Sequence, residues 1–524
     1  MRTDIVKTYK AVHTWVGITS ALFLFIAFYA GAITMFELPL QRWASAPSTA
    51  LPPAVALDEA PELARQAVEA HPEARKAYAI NFAPSPANPA RVTWTIRDPA
   101  DHHSAPHVYG AAFDDAGALV VQETGGSPVA QFIDVLHQQV GLPFDHDISM
   151  PVTGVVSLLY FLALVSGVVV LVPTLVKNLF LIRARARAVR RKWLDMHNTL
   201  GIFSLPFHVM IALTAVVFAS HHQFYDVQDA VLYQGRQAEL ARPAPPALSQ
   251  PAEGQAMLLP SQMAARLAEQ APTFQIQQIE YRSTPAGTVA RILGHDNRYM
   301  LRGPTFGIGV ADPYTGELVQ TDYFPDRQPS RLAIITTFFG LHFGNFGGTP
   351  IRWAYVALGL SGAFLFYTGN VLWVEARRKR LTAANPALAQ PRSVRFLSGL
   401  TAGVCLGTMA GISLTIAAAK WLPATLHLDD WHAGIFYAVL ALALGWAFWR
   451  GSARATDELL WLCAACTFAI PFSSLLGLAG VAPWSPNPGT WAVDAMAFAG
   501  GAGFAAMAWK ARASFQSAAA TPAG

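Results

Sequence analysis

Eight stretches of the chain stay apolar for about 20 residues, the length that crosses a bilayer's hydrocarbon layer. They are residues 14–36, 151–174, 198–219, 351–374, 395–418, 431–449, 458–480 and 491–510, and each predicts a spanning helix. Two long polar insertions, 38–130 and 222–335, interrupt this pattern. In the first, a helical period over 58–70 precedes alternating segments at 77–82, 91–96, 108–113 and 118–121. In the second, a helix over 261–270 precedes alternation at 274–282, 288–293 and 307–310. That alternation is the strand period, so each insertion reads as a small α+β module. The turn Asp312-Pro313-Tyr314-Thr315-Gly316-Glu317 suits a hairpin, because Pro fixes one dihedral and Gly supplies a positive φ. A Pro-rich stretch from Arg242 to Pro251 leads into the second module.

Composition agrees with a membrane class: 53% apolar and 13% charged over 524 residues is too oily for an ordinary soluble protein. Lys and Arg gather on the cytoplasmic side of short loops. Arg183, Arg185, Arg187, Arg190, Arg191 and Lys192 follow the second span, and Arg377, Arg378, Lys379, Arg380, Arg392 and Arg395 follow the fourth. With Arg2, Lys7 and Lys10 before the first span, and Lys510 and Arg512 after the last, both termini are expected in the cytoplasm and both modules outside it. The net charge of +4 reflects this topology and gives little reason to expect nucleic acid. The first apolar run is too long for a signal core, so it is expected to be retained despite Ala44-Ser45-Ala46. Three cysteines make no disulfide framework, and Cys463 and Cys466, a C-x-x-C without a following His, are expected to pack inside a helix.

Five histidines sit in or beside the spans: His13, His137, His197, His208 and His342. An ionisable ring in lipid is costly and needs a partner or a metal. Bis-histidine haem requires two neutral imidazoles from different helices, which a four-helix bundle can supply. His13 and His197 open the first and third spans, each as H-x-x-x-G ending at Gly17 or Gly201. Leu136-His137 and Leu341-His342 follow the two modules, and the next spans contain Ser166-Gly167 and Thr368-Gly369. The chain thus carries an internal duplication of span, module, Leu-His and span. His13 with His197 would ligate an inner haem iron, and His137 with His342 an outer one. His208 lies eleven residues beyond His197, about 16 Å along a helix and about 20° around it. It remains an alternative outer ligand in place of His137 or His342.

These landmarks, with Asp195-Met196-His197 and Leu341-His342-Phe343-Gly344, resemble the PepSY-associated transmembrane family over about residues 8–380. That family includes iron-regulated inner-membrane proteins and ferric-siderophore reductases. The resemblance implies an α-helical integral membrane protein with a duplicated four-helix haem-binding core, two periplasmic PepSY-like α+β modules and four additional C-terminal helices. Its parts are a first span to residue 37, a module at 38–130, an outer helix and second span at 131–175, and a basic loop with the third span at 176–221. The second module at 222–335, an outer helix and fourth span at 336–376, and a loop with four further spans at 377–524 complete it. The implied protein is a bacterial inner-membrane enzyme with two b haems. Electrons would enter near His13 and His197, pass to the outer haem and reduce a ferric siderophore or other ferric chelate docked between the modules. No G-x-G-x-x-G follows a soluble strand, so the donor is a quinol, another protein or a small reductant.

Other groups read more plainly. His102, His103 and His107 form an ordinary polar loop in preference to a metal site, and His221 and His222 cap the third span. His427 and His432, flanking Asp429 and Asp430, are expected to face outward as a polar turn or weak cation site. Gly500, Gly501 and Gly503 permit close helix packing, and Trp353 and Tyr355 serve as interfacial anchors. Two competing functions remain: a transporter or permease component for iron complexes or metals, without haem, and a membrane-held regulator. Duplicated architectures suit transporters too. A visible spectrum separates the first from the haem enzyme, and a regulator would tolerate loss of all five histidines.

Overall fold

The computed structural model describes residues 3–45, 51–84, 89–96, 107–124, 126–174, 189–236, 248–249, 254–285, 287–378, 390–423, 426–482, 484 and 488–520. His102, His103, Arg183, Arg185, Arg187, Lys379, Arg380 and most of the Pro-rich stretch lie outside the described residues.

Helices are numbered in chain order: α1 (Thr3–Thr34), α2 (Glu37–Ala44), α3 (Ala60–Ala70), α4 (Val129–Gln138), α5 (His146–Leu171), α6 (Val189–Phe203) and α7 (Leu205–Gln228). They continue as α8 (Pro260–Gln270), α9 (Ser330–Phe343), α10 (Gly348–Arg377), α11 (Arg392–Ala419), α12 (Leu428–Arg450), α13 (Ser452–Leu478) and α14 (Trp491–Ala520). Eight of them, α1, α5, α7 and α10 to α14, are long and apolar enough to cross a membrane. Strands β1 (Ala77–Asn81), β2 (Val92–Ile96), β3 (His107–Phe113) and β4 (Leu119–Glu123) come from the first insertion. Strands β5 (Gln275–Thr284), β6 (Gly287–His295), β7 (Gly307–Ala311) and β8 (Leu318–Tyr323) come from the second. The chain divides into two compact units, one of residues 1–44, 127–220 and 354–524, the other of 45–126 and 221–353.

In the helical unit, α1 packs against α4, α5 and α11. It also approaches α10 closely, where a Cβ at Gly362 would stand 2.5 Å from the Phe28 ring and one at Gly359 would stand 3.1 Å from Ala32. Helix α11 is the most enclosed span, with 78% of its apolar window buried, because α12, α13 and α1 all lie on it. The third span is not one helix. It breaks at Ser204 between α6 and α7, since Pro206 has no N–H for the carbonyl one turn earlier.

The second unit departs from two separate modules. Their strands merge into one eight-stranded antiparallel sheet, in order β4-β3-β2-β1-β5-β6-β7-β8. The join is β1 against β5, with Tyr78 opposite Tyr281 and the two rings stacked 5.3 Å apart. Helices α3 and α8 share one core with this sheet, through Leu63, Ala67, Met263 and Leu267 over Ile80, Val92, Ile279 and Ile292. Asp58, ahead of α3, accepts hydrogen bonds from the Ser261 N–H (3.0 Å) and hydroxyl (2.6 Å) at the start of α8.

The turn between β7 and β8 is built as its residues suggest: Gly316 takes φ +76° and its N–H donates to the Asp312 carbonyl at 2.9 Å. Burial disfavours the charged Asp312 carboxylate, but hydrogen bonds from the N–H groups of Ser249, Tyr314 and Thr315 outweigh it and hold its pKa below the usual value. Asp312→Ala strands these donors and is expected to cost about 2 kcal/mol, read as a lower unfolding temperature by near-UV circular dichroism. A depressed carboxyl stabilises the fold above its unfolded value of about 4, and that contribution disappears as pH falls through the lower folded value. The gap between wild type and variant should therefore narrow on acidification.

Candidate functional site

Two of the five histidines meet in the helical unit. The rings of His13, on α1, and His197, on α6, have centroids 6.3 Å apart and an interplanar angle of 70°. Each is seated on a glycine of another helix. A Cβ at Gly167 of α5 would stand 3.0 Å from the His13 ring, and one at Gly369 of α10 would stand 3.6 Å from the His197 ring. Each is also turned by a hydrogen bond at Nδ1. His13 Nδ1 lies 2.8 Å from the Ala163 carbonyl, so this nitrogen carries the proton and Nε2 keeps its lone pair. His197 Nδ1 lies 2.8 Å from the Thr368 hydroxyl, which itself donates to the Leu365 carbonyl at 2.7 Å. That hydroxyl therefore accepts from the ring, and the tautomer is the same. The halves correspond position by position: Ala163, Ser166 and Gly167 in one, Leu365, Thr368 and Gly369 in the other, with Ser166 donating to Ala163 at 3.0 Å. The landmarks Ser166-Gly167 and Thr368-Gly369 are thus the seats of the two imidazoles.

His137, on α4, repeats the device further along α1. Its Nδ1 lies 2.8 Å from the Ala27 carbonyl, and a Cβ at Gly31 would stand 2.7 Å from the same atom. His208, on α7, is 1% exposed. Its Nδ1 meets the Tyr160 hydroxyl at 2.5 Å, whereas its Nε2 is buried with no hydrogen-bond partner. Phe28, next to Ala27 on α1, stands 5.6 Å from the His208 ring, so His137 and His208 occupy similar depth along α1. Both His197 and His208 face α10, at Gly369 and Gly362, two turns apart. Phe28, Tyr160, Phe207 and Phe366 surround His208 with ring centroids 5.6–6.2 Å away. His342 lies on α9 in the second unit, beside Phe343. Tyr160 escaped the sequence reading, although a hydroxyl in an otherwise apolar span is itself a signal.

A model of the PepSY-associated TM region matches residues 11–376. The chain belongs to this family. No curated protein matches it. Membership and the eight apolar helices make it a multi-pass integral membrane protein. The family match ends at the last residues of α10, so α11 to α14 stand outside it.

In this family member the paired imidazoles fit a haem iron by their donor chemistry. Two imidazoles from separate helices with centroids 6.3 Å apart are the donor set that would hold a haem iron between them. The Nδ1 acceptors fix the rings as a ligand needs. The glycines let the imidazoles lie close against the neighbouring helices, where a Cβ would crowd the rings, and the Nε2 of His208 is buried without a hydrogen-bond partner.

The remaining groups behave differently. His107 is bound to Glu123 across β3 and β4 at 2.7 Å. His221 and His222 stack 4.0 Å apart beside Tyr225. His432 does not face outward: it is fully buried, 6.2 Å from the Phe132 ring of α4, because its helix begins at Leu428 and turns that position toward α4. Among the described residues no group of three or more His, Cys, Asp or Glu side chains gathers as a metal site. Cys463 and Cys466 are buried free thiols, and Cys463 donates to the Leu406 carbonyl. Gly501 packs on Phe468, while nothing lies near Gly503. Tyr355 is buried against Phe207 and is no interfacial anchor.

Proposed function

We propose that this protein is a two-haem oxidoreductase of the bacterial inner membrane that delivers electrons to a ferric siderophore or other ferric chelate held by the sheet unit outside the cytoplasm. The observation that carries this reading is the His13–His197 pair, two imidazoles on separate helices, 6.3 Å apart, each fixed at Nδ1 and seated on glycine. Bound haem supplies a one-electron ferric/ferrous couple at each site. His13 and His197 hold the inner group. His137, His342 and His208 are the imidazoles available to the outer one. The Ala163 carbonyl and Thr368 hydroxyl keep Nε2 of the inner pair unprotonated and ready to ligate. The aromatic cluster around Phe28 excludes water between the two levels. Reducing the chelated metal weakens its hold on hard oxygen donors, which frees the iron. The donor is a quinol, a protein or a small reductant.

Protein purified from haem-replete membranes is expected to show the split bands of reduced low-spin b haem, with about two haems per chain. Colourless protein from such membranes overturns the reading and favours a transporter.

A further inference from the structure

Several guanidinium groups of the sheet unit are satisfied inside it. Arg91 donates to the carbonyls of Val55, Asn81 and Phe82, Arg291 pairs with Glu280 at 3.0 Å, and Arg298 pairs with Asp296 at 2.9 Å. Arg302 is different. It sits partly buried in the loop between β6 and β7, its guanidinium 3.5 Å from the ring centroid of Phe339 on α9 and 5.4 Å from that of Tyr323 on β8. Among the described residues no carboxylate pairs with it, and its Nε is buried with no hydrogen-bond partner. The backbone that carries it is nonetheless fixed on both sides. The buried Asn345 side chain, just past the end of α9, accepts from the Leu301 N–H (3.0 Å) and donates to the carbonyls of Leu301 (2.9 Å) and Gly303 (2.6 Å), the residues before and after Arg302. Met300 also lies close on α9, where a Cβ at Gly340 would stand 2.5 Å from its Cβ.

A charged side chain withdrawn from water without a partner is unfavourable, and a buried N–H left unbonded is penalised too. Stacking on an aromatic ring offsets part of this, yet the ring face offers no acceptor to the N–H groups at the guanidinium edge. A stacked guanidinium keeps its fork of N–H groups in its own plane, where it can donate side by side to two oxygens of one carboxylate or phosphate. Fixing the flanking backbone beforehand removes ordering that binding would otherwise require. We propose that Arg302, stacked on Phe339 and presented by Asn345, is a receptor for an oxyanion, carboxylate or phosphate, on a ligand of the sheet unit. Carboxylate chelators of ferric iron and the headgroups of anionic phospholipids both carry such a group. The proposal gives a chemical class to the ligand in the proposed function; it rests on the sheet unit being the ligand-bearing part, and on no haem ligand.

The test uses the full-length protein in detergent. Citrate, ferric citrate and inorganic phosphate are titrated by calorimetry, and the unfolding temperature is compared with phosphatidylglycerol or phosphatidylcholine added to the micelles. Arg302→Gln is expected to weaken binding roughly ten- to a hundredfold, the loss of a charge-assisted pair. Arg302→Lys keeps the charge without the fork and should recover only part of it. Asn345→Ala should weaken the same probes by a smaller factor while Arg302 remains in place. Loss with the soluble probes makes the ligand a chelate or free anion, and loss of the phosphatidylglycerol effect alone makes it a headgroup; either supports the site. Equal binding of every probe to wild type and Arg302→Gln overturns it, as does a wild type that responds to none of them. If Arg302→Gln fails to fold, Arg302→Lys and Phe339→Leu decide, and unchanged affinity in both overturns the proposal. Colourless wild type that still binds ferric citrate through Arg302 sinks the haem reading and leaves this one standing.

Discussion

His197→Ala is expected to lose about one of two haem equivalents, and His13→Ala the same one, with the double variant losing no more than either single. Residues that share one partner are not additive, whereas independent sites are. The expectation follows from the 6.3 Å between the two rings and from their matching glycine seats and Nδ1 acceptors. Haem extracted and quantified per chain reads it directly. If the double variant instead loses two equivalents, the two histidines serve different irons and the pairing is wrong. His208→Ala bears on the outer site. Unaltered content leaves His137 with His342, and loss of one equivalent assigns its orphaned Nε2 as a ligand.

Much of this arrangement was legible in the residue order, and what was not has identifiable causes. Spanning helices announce themselves because length and hydropathy are local properties, and the eight helices fall where the eight apolar runs lie. Seven of the eight described strands follow their period-two pattern to within a residue or two, and β8 was signalled only by the turn at 312–317 that precedes it. That the two insertions share one sheet was not legible, since the β1 to β5 register joins Ala77 to Arg282 across some two hundred residues, a choice made by tertiary packing. The break before Pro206 was foreshadowed by the proline but hidden by continuous hydropathy. At the site, the duplication exposed Ser166-Gly167 and Thr368-Gly369 as landmarks, but that they seat His13 and His197 is decided by how α5 and α10 pack against α1 and α6. His432 was misjudged because neighbouring aspartates suggested water, while its helix turns it under Phe132. Hydropathy averages over a helix and says nothing about which face a small residue occupies, so the glycines of α11 passed unnoticed.

Those glycines underlie the largest stability effect expected. Gly399, Gly403, Gly407 and Gly411 recur every four residues along α11 and all meet α12, at Phe448, Leu444, Ala443 and Phe436. Small residues at this spacing let two helix backbones approach closely, and in lipid that close packing supplies much of the association energy. At Gly403 the obstructing atom is backbone: an added Cβ would stand 2.8 Å from the Leu444 Cα, which no side-chain rotation can relieve. Gly403→Val must therefore force α12 outward, at a cost of about 3 kcal/mol, the upper part of the range for overpacking. Gly445→Ala is the control. It lies on α12 with nothing within 4 Å, and it should be neutral or slightly stabilising because alanine favours helix. Thermal unfolding of both variants in detergent measures the difference. The damage should spread to the helices that carry His13, His197 and His208, since Cys405 of α11 shares a core with Leu24, Phe28 and Tyr160, and Asn370 of α10 donates to Thr401. Gly403→Val melting with wild type would mean that α11 and α12 are not pressed together here, and that the last four helices do not brace the first four spans through α11.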